Sequence, residues 1–522
     1  MKRKFLLSAL VAPLALSACA PQTKAQGAPA PQVPMPVAPV PIAANAKPNI
    51  VVMIADDLTY HDLGCWGNTD VKTPNLDRLA SQGMRLTRCY TTAPVCSPTR
   101  QSLYTGLYPV RSGAYPNHAI VKPEVKSLPF YLKPLGYRVG LVGKTHFGPA
   151  ANFPFEYPGQ EPGADIGDEN AEKELNYAAA EQFMDRDKTQ PYCLIVTPHE
   201  PHEPWNKGDA SVYDPATLKL APYLVDTPRT RSARARYYAE VNVLDQQVGQ
   251  VMDAVERTGQ ANNTLFVFVS EQGSSMPHGK WTLYDAGIRS ATIARWPTKI
   301  KAGSTSDALC QYIDLLPTFM QMAGGQAPTT IDGRSILNVL TGKTNTARDF
   351  VYAEETSRGI IQGPEAYGIR AVADHNWKYI LNLNPDATFQ NTEVRTPLFQ
   401  SWVRKGETDA FARQQAEMYQ HRPAVELYDL QNDPYELKNL ADQPDQKANL
   451  NRMRAALDAW MKQQGDEGVK TEMEAKEHQG SGSVKPRANA QAGGAPAARA
   501  LGAGRPRARR GRQQAQVAAA NG

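Results

Sequence analysis

Cysteine is scarce in this chain, with six in 522 residues. Their spacing matches neither a zinc knuckle nor a disulfide-stapled scaffold, which excludes a small cross-linked fold and a cysteine metal framework. The apolar run near the start, Phe5 to Leu16, is too short to cross a bilayer. No internal repeat is visible. Acidic residues are missing from Lys485 onward, where eight Lys and Arg stand without one Asp or Glu. Without those eight, the formal net charge of +5 falls to about −3, so the basic pI belongs to the tail. The overall charge therefore gives no reason to expect a nucleic-acid partner.

What is present begins with Met1-Lys2-Arg3-Lys4 ahead of the apolar run, the charged and hydrophobic regions of a secretory signal. The run ends in Leu16-Ser17-Ala18-Cys19, which resembles a bacterial lipobox, whose cysteine is lipidated and becomes the mature N-terminus. An ordinary signal-peptidase cut is the other reading. Residues 1–19 are thus expected as a lipoprotein signal. Residues 20–47, almost all Ala, Pro, Gln and Val, are expected as an extended tether. Together they predict an exported lipoprotein, periplasmic or anchored to the outer membrane, touching the membrane through its lipid alone. From Val469 the composition turns to Ala, Gly, Gln and Arg without apolar periodicity, and 469–522 is expected as a disordered basic tail.

Between the ends, with 41% hydrophobic residues overall, there is material for a large core. Short Val/Ile/Phe-rich runs that stop abruptly in polar residues alternate with helical stretches, as in a mostly parallel sheet covered by helices. The expected fold is α/β, a large sheet sandwiched by helices over 48–345, followed by a smaller α+β subdomain over 346–468. Helices are predicted over Thr73 to Gln82, Thr230 to Arg257 and Pro444 to Gln464, and short strands around Trp377–Ile380 and Glu426–Leu430. Cys193 lies in an apolar run and is expected to be buried; a Cys65–Cys89 bridge is open in an oxidising compartment.

Four of the strand-like runs end in chemistry. Asn49 to Ile54 leads into Asp56-Asp57, Arg138 to Val142 into Lys144 and His146, Cys193 to Val196 into His199 and His202, and Thr264 to Val269 into Glu271-Gln272. In open α/β sheets several loops aim side chains into one crevice beyond the carboxyl ends of the strands. Asp56, Asp57, Glu271 and Gln272 offer only oxygen ligands with formal charge −3, which suits a hard divalent cation, Ca²⁺ first and Mg²⁺ second. Cys96-Ser97-Pro98-Thr99-Arg100 reads as a helix start, with Ser97 as cap, Pro98 at the first helical position and Cys96 at the positive end.

That segment, with Thr105-Gly106 downstream, resembles the Cys-x-Pro-x-Arg signature of type I sulfatases, members of the alkaline-phosphatase-like superfamily. The resemblance covers roughly residues 48 to 465, and within the family it is nearest to sulfamidase-like and polysaccharide sulfatases. It implies that a maturation enzyme oxidises Cys96 to formylglycine, which joins the metal ligands and, hydrated, attacks sulfur. Arg100 would hold the formylglycine oxygens, and Lys144 and Lys280 would neutralise the sulfate. His146 would take the proton whose loss expels sulfate, and His199 or His202 would protonate the leaving group. Where the family usually has Asp followed by Asn or His, this chain has Glu271-Gln272, each a methylene longer. The resemblance implies a hydrolase of sulfate esters on a saccharide derived from sulfated polysaccharide. An N-sulfoglucosamine sulfohydrolase, a phosphonate monoester or phosphodiester hydrolase, and a non-catalytic carbohydrate-binding lipoprotein are the competing readings. Trp66, Asn117, His118 and His278 are candidates for sugar contact.

Overall fold

The computed structural model describes residues 47–161, 174–358 and 367–479. The predicted signal, the lipobox Cys19 and nearly all of the predicted tether lie outside the described residues.

Strands β1 (Asn49–Ala55), β2 (Met84–Tyr90), β3 (Arg138–Gly143), β4 (Tyr192–Thr197), β5 (Thr264–Ser270), β6 (Arg289–Arg295), β7 (Ser304–Ser306) and β8 (Cys310–Gln311) form one sheet in the order β3-β4-β1-β5-β6-β2-β7, with β8 beside β2. The first four strands of that order run parallel, and β6 is antiparallel to both its neighbours. Alternate residues of β1 enter two different cores: Val51 and Met53 face one layer of helices, Ile50, Val52 and Ile54 the other. Side chains on a strand alternate between faces, so burial on both reads as a continuous apolar run. The long helix Pro228–Arg257 covers the first face, with Thr227 capping it by accepting from the Thr230 amide, and the helix Leu315–Met322 lies on the second.

A second sheet, antiparallel in the order β12-β11-β10-β9, follows with β9 (Val351–Thr356), β10 (Gly368–Ala373), β11 (Trp377–Asn382) and β12 (Val425–Asp429). The helix Lys447–Gln464 packs Met453, Leu457 and Trp460 against it. The fold is therefore the expected α/β sheet with a smaller C-terminal α+β part.

Two expectations change. The tail does not begin at Val469: Val469–Glu474 is helical, a 3₁₀ turn follows over Ala475–His478, and Gln479 forms an isolated bridge with Ala119. Glu472 holds this segment down by accepting from the amides of Ser357 and Arg358, and Tyr115 donates to the Thr471 carbonyl. Polar residues that bind specific partners carry no apolar period, so composition alone misread them. Cys65 and Cys89 are free thiols, and Cys89 stands in register with Cys310 on the adjacent strand rather than with Cys65.

Candidate active site

The parallel strands β1, β3, β4 and β5 are neighbours, so the polar residues after each end on one edge of the sheet. Gly143 allows the chain to turn there: it has φ +104°, and a Cβ would lie 2.2 Å from the Thr197 carbonyl oxygen of β4. That close approach aims Lys144 across β4 at Asp56, 2.6 Å from Nζ to Oδ2. Gly273 does the same after β5, since a Cβ would lie 1.8 Å from the Ala286 carbonyl oxygen. Five of the six described non-glycine residues with positive φ, Asp57, His118, His146, His278 and Trp281, cluster in and around this edge. Left-handed backbone costs energy at such residues and persists where the surroundings enforce it.

Cys96 opens the helix Cys96–Thr105 as its first residue, with Val95 as the N-cap and no side-chain cap of its own. Ser97 is thus not the cap. Asn117 serves instead, its Oδ1 accepting from the Ser97 amide at 3.4 Å, which gives this residue a structural role rather than the proposed sugar contact. Cys96 is 2% exposed. Burial pushes its thiol above the ordinary range, so the unmodified sulfur stays protonated.

Asp56, Asp57, Cys96 and His202 each bring one ligand atom into a group whose members all lie within 4.8 Å of one another. Asp56 accepts from Lys144, and Asp57 accepts from Lys280 at 2.8 Å and Ser275 at 2.7 Å. Burial alone would raise both carboxyls. Lys144 and Lys280 outweigh it and hold Asp56 well below and Asp57 below the usual range. Lys280 in turn is kept charged against its burial by Asp57.

Gln272 points its Nε2 at Asp57 Oδ1, 2.5 Å away, and at Cys96 Sγ, leaving its buried Oε1 without a partner. Turning the amide over puts that oxygen among the acidic ligands, which is where a hard cation would take it. The donor set thus fits a divalent cation. Glu271 also makes a contact not expected from sequence: both its oxygens accept from Arg100, at 2.8 Å from Nε and 2.9 Å from Nη2. Arg100 therefore grips Glu271, and its Nη1 the Lys144 carbonyl, rather than reaching for the group at position 96. Three carboxylates, Asp56, Asp57 and Glu271, face three permanent cations, Arg100, Lys144 and Lys280, so the site is balanced before any ligand enters.

The histidines divide into two pairs. His146 Nε2 lies 3.1 Å from His118 Nδ1, and its own Nδ1 is buried without a partner. Burial, then His118 and Lys144, hold His146 well below its ordinary range, so it is a neutral base at pH 7. His199 lies 3.7 Å from Asp56 and its ring centre 4.8 Å from that of His202, tilted by 31°, and His202 lies 3.5 Å from Asp57. His202 Nδ1 is 2.6 Å from the Glu203 carbonyl oxygen. A carbonyl only accepts, so Nδ1 carries the proton and Nε2 accepts from Lys280, 3.2 Å away. Of the other candidates, His278 is sandwiched between Tyr223 and Tyr284, a packing position, and Trp66 lines a separate groove with His61 and Asn68. Ser275 was not singled out from sequence, because one Ser in a loop carries no spacing signal, and His118, a candidate for sugar contact, is found paired with His146.

A buried nucleophile position at a helix start, a carboxylate cluster fit for a cation, and lysines on either side define a hydrolase of anionic esters. The Sulfatase family model matches residues 48–325, and the model for the C-terminal part of N-sulphoglucosamine sulphohydrolase matches 276–386. An ulvan-active sulfatase of Formosa agariphila is 34% identical over 81% of this chain and 82% of its own. The N-sulphoglucosamine sulphohydrolase of Homo sapiens is 28% identical over 80% and 90%. A solved structure in complex with its substrate D-glucosamine-2-N,6-O-disulfate superposes with TM-score 0.60 at 20% identity, over 81% of this chain and 99% of the other. The chain belongs to the sulfatase family, and it is a sulfuric ester hydrolase.

Proposed function

We propose that the protein hydrolyses O-sulfate esters of a saccharide derived from sulfated polysaccharide, using a formylglycine made from Cys96 and a divalent cation, Ca²⁺ before Mg²⁺. The observation that carries this reading is the convergence of Asp56, Asp57, Gln272 and Lys280 on Cys96 at a sheet edge. The ulvan-active relative supports a saccharide substrate. The hydrated formylglycine supplies a nucleophile with a second hydroxyl, and the cation supplies positive charge that ionises it.

The chain's own residues do the rest. Lys144, on Asp56, and Lys280, on Asp57, offer positive charge to sulfate oxygens as negative charge shifts onto them. Arg100 fixes Glu271 and so the floor of the site. His146, neutral, accepts the proton of the second hydroxyl, and His118 holds its ring. His202 is the donor to the leaving oxygen: it is the more exposed of its pair, with 23% of its side chain accessible against 12% for His199, and Lys280 Nζ, 3.2 Å from Nε2, holds its ring in place. With a divalent cation the balanced site gains two positive charges, enough to offset an ionised nucleophile and a sulfate monoester.

The polypeptide is further proposed to be exported as a lipoprotein and matured by a formylglycine-generating enzyme. Mass spectrometry of the peptide carrying position 96, isolated from the native host, tests the chemistry, since quantitative unmodified cysteine would end it. Ca²⁺ should raise the melting temperature and a chelator should lower it, because a ligand that binds only the folded state stabilises it. The second reading is a sulfamidase, favoured by the match of residues 276–386 to the N-sulphoglucosamine sulphohydrolase model. Sulfate release from N-sulfated and O-sulfated disaccharides side by side separates them; a faster rate on the N-sulfate replaces the first reading.

A further inference from the structure

Two of the described cysteines stand opposite each other. Cys89 of β2 and Cys310 of β8 are register partners on adjacent parallel strands, followed by Tyr90 with Gln311. Paired residues on neighbouring strands point to the same face, and both cysteines belong to the core that the helix Leu315–Met322 covers. Cys89 is 1% exposed and Cys310 fully buried, and each is a free thiol. The Cys310 thiol is held well above its ordinary range, first by the Cys89 sulfur beside it and then by burial. Neighbouring strands lie about 4.8 Å apart, inside the roughly 4.4–6.8 Å between Cα atoms that a disulfide spans. Among the described residues the other thiols face no second cysteine: Cys193 is in register with Ile50 and Val139, Cys65 lies beside Asp77, and Cys96 beside Gln272. The proposed sulfatase chemistry uses neither Cys89 nor Cys310.

The chain on either side of the pair shows what a bond there would hold. Strand β8 has two residues, so few hydrogen bonds fix it. It leads straight into Tyr312, whose hydroxyl donates to the carbonyl of Ser270, the last residue of β5 before Glu271. On the other strand, Cys89 comes shortly before Thr91, whose hydroxyl meets that of Thr99 in the helix of Cys96 at 2.8 Å. The pair thus stands between the segments that support Glu271 and Cys96.

We infer that Cys89 and Cys310 are joined by a disulfide in the exported protein, and that this bond braces β8 against β2. The inference rests on the export proposed above, since an oxidising compartment favours such a bond, and not on the sulfatase reading. As the chain folds, one cysteine sulfur loses its proton and attacks a disulfide-bearing oxidant, releasing one oxidant thiol. The second, also deprotonated, displaces the other oxidant sulfur. Two cysteine thiols are oxidised, one oxidant disulfide is reduced to two thiols, and the protons pass to the departing sulfurs. Once the core closes, burial shields the bond from reductants.

The test takes the full-length protein from its native host, fractionates the cells, unfolds the protein in N-ethylmaleimide before any reductant is added, and digests it. Protein from the envelope fraction should give linked peptides carrying positions 89 and 310, two hydrogens lighter than their sum, with maleimide on Cys65 and Cys193. Freeing the bond with a phosphine reductant should lower the melting temperature by about 5 °C, the shift expected when a long closed loop is opened in a chain of this size. The double variant Cys89→Ala, Cys310→Ala should melt alike with and without reductant. Envelope protein carrying maleimide at both positions, a link from either to Cys65, or a wild-type melting temperature that reduction of the bond does not move overturns the inference. Recovery of the protein from the cytoplasm alone overturns instead the export on which it rests.

Discussion

On the proposed mechanism the formylglycine carries a second hydroxyl whose deprotonation expels sulfate, and serine at position 96 keeps only the first. Cys96→Ser should therefore accept a sulfo group and keep it, losing turnover while its fold survives. Intact mass after incubation with substrate shows the trapped group. Removing the proton donor has a different signature. His202→Ala should lose about 10²-fold or more on an alkyl sulfate such as a sugar ester, and far less on 4-nitrophenyl sulfate, whose phenolate leaves without a proton. Comparing the two substrates checks it, and equal losses would assign His202 to the cation instead. At this scale the sequence was legible where a residue type is rare and its position constrained. Cys96, Lys144 and the Asp56-Asp57 pair could be picked out. Glu271 was picked out as a cation ligand, and its bonds to Arg100 were not foreseen, because residue type shows a carboxylate while its distance from Arg100 appears only in three dimensions.

The element least legible in sequence is the segment after the helix Lys447–Gln464. Its backbone bridges Ala119, the Ile120 amide donates to the His478 carbonyl, and Gln479 Nε2 donates to the Asn117 carbonyl at 3.0 Å. That loop carries Asn117, which caps the helix of Cys96, and His118, which bonds His146. Truncation after Gly468 should thus lower both the melting temperature and kcat, while truncation after Val484 should leave 4-nitrophenyl sulfate turnover as it was. Calorimetry and initial rates on the two truncated forms decide this; equal behaviour would show the segment to be an idle strap. The central strands, by contrast, were readable to within a residue or two at their ends, because β1, β3, β4 and β5 are buried on both faces and end in polar loops. The short edge strands β7 and β8 lack enough residues to show any period.

For the molecule as a whole, buried neutral histidines set the response to acid. His278, stacked between two tyrosines, is pushed down to about 3, by burial first and then by Arg422. His146 is lowered as well. A histidine whose folded value lies below its unfolded one binds its proton in the unfolded chain first, so stability is retained above about pH 6.5 and drains away as the pH falls below it. Each such residue contributes up to about 1.4 kcal/mol per pH unit over that range. Urea titrations from pH 7 down to pH 5 should show the fall, and His278→Gln should flatten it by roughly one proton; a slope unchanged by that substitution would place the acid sensitivity elsewhere.

The depth of Cys96 also sets a clock. Cys96 is 2% exposed, next to Ser97, whose amide the Asn117 loop holds, and that loop is itself tied down by residues near the end of the described chain, so no second macromolecule reaches an atom so enclosed. If Cys96 is oxidised by another enzyme as proposed, that step comes before the fold closes, while the stretch around position 96 is still an open strand of polypeptide. On that proposal a molecule that folds first is committed to inactivity for its lifetime, and a preparation would be a mixture whose active fraction records how that race was run in the cell that made it.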